Sequence, residues 1–263
     1  MPEKSYKHLR LEICGQHTAL VTICNPPANT WNRDGLKALR ELVVDLEARR
    51  DIYALVLTGE GNQFFSAGAD LNMFAGCDAA VAQEVALLFG QAFETLADFR
   101  GVSIAALNGY TMGGGLEAAL ACDLRIAEAQ VQLGLPEATV GLLPAGGGTQ
   151  NLPWLVGEAW AKRIILCGER LDAATAQRIG LVEEVVPCGA SVNAALALAE
   201  KVARQSPGSV AACKKLIQAA RNQPMRQALP VERALFVELF GSEDQREGVE
   251  AFLQKRRPCW KNR

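Results

Sequence analysis

The stretch NGYTMGGGLEAAL, residues 108–120, ends an apolar strand pattern on three consecutive glycines, Gly113 to Gly115, and continues into a helical pattern whose first turn carries one carboxylate, Glu117. Bare backbone in front of a helix leaves N–H groups without an intrahelical acceptor, at the positive end of the helix dipole. A negative charge can dock there. Two kinds of charge fit: the pyrophosphate of a dinucleotide, or the single oxygen of an enolate or tetrahedral intermediate. Gly113, Gly115 and Ala118 satisfy GxGxxA, and the acidic Glu137 follows about 20 residues on, as that fingerprint asks. Against it, Glu117 puts a carboxylate in the turn where the pyrophosphate has to sit, and Glu137 follows Pro136 in a segment broken by proline and glycine instead of ending a strand. A transient oxyanion needs only two N–H donors about 3 Å away. Gly114 can supply one. FFSAGADL, residues 64–71, is a candidate for the other, since it follows the strand pattern YALVLTGEG and again offers small residues for a close approach.

Outward from this stretch, strand and helix signals alternate. HLRLEIC and TALVTIC, separated by Gly15 and Gln16, suit a hairpin. From Arg33 the apolar positions Leu36, Leu39, Val43 and Leu46 recur at helical spacing, and YALVLTGEG reads as a buried strand. Asp78 to Phe99 predicts a second helix, SIAALNGY a third buried strand, and LRIAEA a return to strand after the glycine-led helix. The alternation argues for an α/β architecture. After about Val186 the strand signals stop, and NAALALAEKVARQ, SVAACKKLIQAARN, MRQALPVERALFVELF and SEDQREGVEAFLQKRR all read as helices, the last opened by a capping box of Ser242 and Gln245. The expected organisation is an α/β core over residues 1–187 and a helical region over 188–263. ALFVELF is too apolar for a free surface and is expected to cover a core or a neighbouring subunit.

Composition narrows the function classes. With 263 residues and 49% apolar side chains, the chain can fill a sizeable core. No apolar run reaches the roughly 18 residues of a membrane span, and MPEKSYKHLRLE lacks the apolar segment of a secretion signal, so a soluble, cytoplasmic protein is expected. A net charge of −2 offers no field suited to a polyanion, which argues against nucleic acid or a membrane surface as partner. The eight cysteines form no CxxC pair and are expected as reduced thiols, and His8 and His17 are the only histidines. With no HExxH, GxSxG or GxxxxGK[ST], neither a metal nor a cofactor is expected.

Glu117 and Glu137 make the oxyanion reading more specific. Glu137 lies among Leu133, Leu135, Val140 and Leu142. An ordinary glutamate titrates near 4.3, and burial or a second carboxylate raises that value, so a pair of acids can divide general-acid and general-base work. From spacing alone, a capped helix and a surface position account for these glutamates equally well.

Together these pieces resemble the enoyl-CoA hydratase/isomerase (crotonase) superfamily. The resemblance runs through SAGADL (66–71), NGYTMGGGLEAALACDLRIA (108–127), GLPEATVGLLPAGGGTQNLPWLVG (134–157), GLVEEVVP (180–187) and FLQKRRPCW (252–260). It implies a spiral of ββα units with a helical C-terminal trimerisation region, assembled as a homotrimer or a dimer of trimers. It also implies that Ala69 and Gly114 donate the two N–H groups to the thioester oxygen of an acyl-CoA. Glu117 matches the acid that holds and activates water at Cβ, and Glu137 the one that delivers a proton at Cα. Ala28, Ala67, Asp70 and Leu71 match positions around the pantetheine and nucleotide, Pro136 sits beside the acid, and Lys255 matches a contact to the ligand's phosphates. The coenzyme A thioester is thus substrate, and the activity implied is hydration of a short- to medium-chain trans-2-enoyl-CoA to 3-hydroxyacyl-CoA. Another acyl-CoA reaction of the family, such as isomerisation or a pathway-specific hydration, is the alternative, and a non-catalytic acyl-CoA-binding member a third. The chain departs from many relatives at Leu135, where glutamine is common, and at Ala145, where glycine is common and where a methyl group can narrow the pocket while the N–H survives for a water contact.

Overall fold

The computed structural model describes residues 4–263. Its strands are β1 (Leu9–Cys14), β2 (Thr18–Ile23), β3 (Ala54–Gly59), β4 (Phe64–Ser66), β5 (Val102–Leu107), β6 (Tyr110–Met112), β7 (Leu124–Glu128), β8 (Gln132–Gly134), β9 (Leu171–Asp172) and β10 (Glu184–Val186). Its helices are α1 (Arg33–Glu47), α2 (Ala79–Ala97), α3 (Gly114–Ala121), α4 (Gly148–Leu166), α5 (Ala173–Arg178), α6 (Ser191–Ala203), α7 (Pro207–Ala219), α8 (Met225–Leu239) and α9 (Glu243–Leu253).

The expected hairpin forms, with β1 and β2 antiparallel and Leu9 opposite Ile23. The larger sheet then continues in the order β1-β2-β3-β5-β7-β10, every pair after the hairpin being parallel. Parallel strands are covered on both faces and so read as unbroken apolar runs, which is why ALVLTG is buried throughout. Leu55, Leu57, Ala105 and Leu107 face the core that α1 and α2 close, while Ala54, Val56, Ile104 and Ala106 face the other side, where Ala195 and Ala199 of α6 pack. Asn32 caps α1 by accepting from the Gly35 N–H, and Leu36, Leu39, Val43 and Leu46 are buried, as their spacing predicts. Asp78 caps α2 in the same way through the Val81 N–H.

The sequence reading missed a second, four-stranded sheet in the order β4-β6-β8-β9. It arises because β3, β5 and β7 each turn a corner and continue as a short strand, β4, β6 and β8, before the next helix; the result is a succession of ββα units. The corners are tied together by Asn108, whose buried amide donates to the Gly59 and Gly61 carbonyls, both at 2.8 Å, and accepts from the Gly59 N–H. Only glycine fits beside it, since a Cβ on Gly109 would stand 2.2 Å from the Gln63 carbonyl oxygen.

The C-terminal helices form where expected, and Ser242 caps α9 through the Gln245 N–H at 3.0 Å. In the single chain their outer faces are uncovered: Phe236 is 62% exposed and Phe252 83%. No described helix is long and apolar enough to cross a membrane.

Candidate active site

The second sheet delivers the glycine stretch to one end of a cavity of about 280 Å³. Gly113, with φ +52°, turns the chain out of β6 and donates to the Gly134 carbonyl at 2.9 Å, and α3 starts at Gly114. Backbone then meets backbone. A Cβ on Gly115 would lie 2.4 Å from the Ser66 carbonyl oxygen, and one on Gly68, whose φ is +98°, would lie 2.8 Å from that of Met112 and 3.2 Å from the Gly114 nitrogen. Any larger residue at these positions would push α3 away from the loop after β4. The close approach brings the N–H groups of Ala69 and Gly114 to the same side of the cavity, where neither donates to an acceptor among the described residues. Two unpaired amides side by side at a helix N-terminus form a receptor for one oxygen that carries negative charge.

Glu117, one turn into α3, is only 3% exposed. Its Oε1 accepts from the Gly146 N–H at 2.7 Å and the Gly148 N–H at 2.9 Å, both at the N-terminal end of α4. Burial pushes its pKa up, and these two amides pull it back toward the charged form. Oε2 has no hydrogen-bond partner among the described residues and remains available to a water molecule. Leu135 is buried, with its Cδ1 about where a side chain on Gly148 would have to go, so the departure from glutamine puts an apolar wall behind the Glu117 cradle.

Glu137 opens a short 3-10 turn, Glu137–Val140, and lines the same cavity, its Oε1 3.1 Å from where a Cβ on Gly113 would stand. Both of its carboxylate oxygens are buried and neither has a hydrogen-bond partner. Burial pushes its pKa to about 7, and the charge of Glu117 adds to the rise. Its own main-chain N–H, which makes no hydrogen bond of acceptable geometry with it, offsets this in part. The two acids therefore differ in kind: Glu117 has two amide donors that favour its charged form against burial, whereas nothing holds a charge on Glu137.

Of the residues expected at the site, Ala67, Ala69, Leu71, Gly114, Glu117, Pro136, Glu137 and Ala145 line this cavity. Ala28 and Asp70 stand one layer back. The Ala28 carbonyl accepts from the Ala67 N–H at 3.0 Å, and the Asp70 carboxylate accepts from the Asn72 N–H at 3.0 Å. Lys255 lies beyond the end of α9 and does not line the cavity. Val140 and Leu142, read from the sequence as apolar neighbours of Glu137, line the cavity, whereas the sequence reading missed the other apolar walls, Phe74 from the loop before α2, Phe89 from α2 and Leu143. It also missed Gly146 and Gly148, although the run GGG at 146–148 repeats the bare-backbone signal of 113–115.

Comparison with known proteins agrees with this geometry. The chain is 40% identical over 251 residues to the 2,3-dehydroadipyl-CoA hydratase of Escherichia coli, covering 94% of this chain and 96% of that protein. It is 36% identical to the short-chain-enoyl-CoA hydratase of Clostridium acetobutylicum, covering 91% and 92%. Among solved structures, Pseudomonas aeruginosa DspI superposes with a TM-score of 0.95 at 62% identity over 99% of both chains. An enoyl-CoA hydratase from Bacillus anthracis superposes with 0.94 at 32% identity, over 98% of this chain and 100% of that one. Residues 15–263 match the family described as Enoyl-CoA hydratase/isomerase, and with the paired amides and the α/β fold of ββα units this places the chain in that family, among the crotonase-fold enzymes.

Proposed function

We propose that the protein is an enoyl-CoA hydratase that adds water across the 2,3 double bond of a trans-2-enoyl-CoA and forms a 3-hydroxyacyl-CoA. The observation that carries this reading is the unlike pair of acids facing one apolar cavity beside two free amides. In the conjugated thioester, attack of water at Cβ moves electron density onto the carbonyl oxygen. Ala69 and Gly114 receive that charge, each donor contributing on the order of 3–4 kcal/mol by analogy with other oxyanion holes. Glu117, ionised in its amide cradle, takes the proton from the attacking water through Oε2. Glu137, protonated near neutral pH, gives its proton to Cα. The enolate collapses, the new C–O and C–H bonds replace the double bond, and one water is consumed. No electron leaves the pair of reactants, so the chemistry calls for no redox group, and the charge that develops is met by backbone dipoles.

The cavity favours an uncharged acyl chain. Apart from the two acids and Thr139, its walls are apolar, with no Lys, Arg or His among the described residues, so a carboxylate at the far end of the substrate would find no cationic partner. This separates our reading from a hydratase of dicarboxylic thioesters and supports short- to medium-chain monocarboxylic substrates. The exposed apolar faces of α8 and α9 support assembly through residues 188–263 into a trimer or a dimer of trimers, with Lys255 reaching the phosphates of coenzyme A.

The test follows the ultraviolet absorbance of the conjugated enoyl thioester with crotonoyl-CoA and longer homologues, for the wild type, Glu117→Gln and Glu137→Gln. Loss of turnover in both variants with coenzyme A binding retained is expected. Wild-type turnover no faster than that of the variants would sink the reading, and a product other than the 3-hydroxyacyl-CoA would move the assignment to another reaction of the family.

A further inference from the structure

Three of the four backbone amides on which the site depends, those of Ala69, Gly114 and Gly146, are backed by one aromatic cluster. Trp31 lies in the loop before α1 and is 1% exposed. It forms a parallel bridge to Ala69: its N–H donates to the Gly68 carbonyl at 2.8 Å, and its carbonyl accepts from the Asp70 N–H at 2.9 Å. A parallel bridge of this kind uses the groups on either side of Ala69, so the N–H of Ala69 itself points away from Trp31, toward Gly114. The Trp31 ring meets Phe93 of α2 edge to face, centroids 5.9 Å apart at 72°, and Phe93 meets Phe89 one turn earlier at 5.7 Å and 71°. Phe93 leaves Gly146 no room: a Cβ there would lie 2.6 Å from the Phe93 ring. Phe89 does the same at Gly114, where a Cβ would lie 2.9 Å from its Cε1.

The indole N–H of Trp31 is buried without a partner. Such a group carries a desolvation cost that a phenylalanine would not incur. What tryptophan offers here is therefore reach, not a hydrogen bond: the larger ring spans from the Ala69 strand to Phe93. We propose that Trp31, Phe93 and Phe89 are positioning residues that hold the oxyanion-binding amides and the Glu117 cradle in one register, so that the charge on the thioester oxygen and the attack of water are aligned by the same packed cluster. This rests on the hydratase reading above.

The physical consequence is a division of labour that a merely structural core would not show. Loosening Trp31 frees the Ala69 bridge and weakens polarisation of the thioester carbonyl. Loosening Phe93 frees Gly146 and weakens the hold on ionised Glu117. Positional errors of about 1 Å in such groups cost up to about 10²-fold in rate.

The experiment uses Trp31→Phe and Phe93→Leu in the full-length protein, with 4-(dimethylamino)cinnamoyl-CoA as the probe, because its absorption moves to the red when its carbonyl is polarised. Removing the unpaired indole N–H offsets part of what the smaller ring loses in packing, so Trp31→Phe should stay folded and melt within several degrees of the wild type, and kcat is compared at a temperature well below both transitions. We expect its kcat with crotonoyl-CoA to fall 10- to 100-fold with KM changed less than about threefold, and the red shift of the bound probe to shrink by half or more. Phe93→Leu is expected to keep most of the red shift and to move the acid limb of the kcat–pH profile upward, since Glu117 with a loosened Gly146 amide is harder to ionise. If both variants keep the wild-type kcat, red shift and pH profile, the positioning role is refuted. If either variant loses kcat only in proportion to lost folded protein, the cluster is ordinary core and the proposal fails. A wild-type protein that binds and shifts the probe but does not hydrate crotonoyl-CoA would overturn the hydratase reading while leaving the Trp31 effect on the red shift as the deciding measurement.

Discussion

Replacing Glu137 by glutamine should remove the activity and, at alkaline pH, stabilise the fold. An ordinary glutamate has a pKa near 4.5, and burial holds Glu137 at about 7. A folded-state value raised above the unfolded one means that the native protein binds the proton more tightly, so no penalty exists below about pH 4.5, and a full penalty is in place above about pH 7. The interval corresponds to about 3 kcal/mol for a fully desolvated group, at about 1.4 kcal/mol per pH unit. The side chain is not fully withdrawn from solvent at the cavity mouth, and screening reduces this to roughly 1–2 kcal/mol. Glutamine carries no charge at any pH, so thermal unfolding of wild type and Glu137→Gln should give a Tm difference that grows in favour of the variant between pH 4.5 and 8. The growth should be about 2–8 °C, at roughly 2–4 °C per kcal/mol for a domain of this size. Whatever the amide does to packing is independent of pH and cancels in that comparison. The same protonation should appear in catalysis, with kcat/KM of the wild type falling about tenfold per unit above pH 7 as the proton donor is lost. A Tm difference that stays constant from pH 4.5 to 8 would refute the environment assigned to Glu137, and a flat kcat/KM up to pH 9 would refute its role as acid.

Other perturbations follow from the same geometry. Gly114→Ala should reduce kcat with crotonoyl-CoA at least 10²-fold, because the methyl group would have to displace Phe89 from 2.9 Å and would carry the amide with it; steady-state kinetics with coenzyme A binding by calorimetry checks this. Asn108→Ala should destabilise the fold by about 2–5 kcal/mol in urea unfolding, since it leaves the Gly59 and Gly61 carbonyls buried without their donor. If the proposed trimer forms through residues 188–263, Phe236→Asp should lower the sedimentation coefficient, by placing a charge on an apolar helix face that the neighbouring subunit would cover; an unchanged coefficient would refute that interface.

The parts of this fold that were legible in the sequence are those whose signal is local. A period of 3.6 at Leu36, Leu39, Val43 and Leu46, caps at Asp78 and Ser242, and unbroken apolar strands each state their own structure. The second sheet was illegible because β4, β6 and β8 have three residues each, too few to show a period of two. The helix α4 was obscured by Pro153 and by Gly157, whose φ of +77° kinks it. At the site, the run of glycines announced bare amides near 114, but that the amides of Gly146 and Gly148 turn toward Glu117 is a fact of tertiary packing 29 and 31 residues away. Trp31 gave no signal at all, since its role depends on a bridge to Ala69 that no spacing encodes.

That one residue type can serve both ends of a proton relay follows from charge accounting in a dry cavity. On the proposed assignment the resting pair carries one negative charge, on Glu117, where two amides stabilise it, and one proton, on Glu137, where no partner would stabilise a charge. During hydration Glu117 gains a proton as Glu137 gives one up, so the pair never holds two charges, and the burial cost that an ionised pair would impose is avoided at each stage. The charge nevertheless ends on the wrong acid. Glu137 is left ionised without a hydrogen-bond donor, while the amides of Gly146 and Gly148 face a neutral Glu117, and the resting arrangement is restored downhill by exchange of one proton with water at the mouth. A site built from two equally cradled glutamates would rest with the charge on either acid; the difference between a partnered and an unpartnered carboxylate sets which one starts as base and which as acid, while the free energy of hydration sets the direction of turnover.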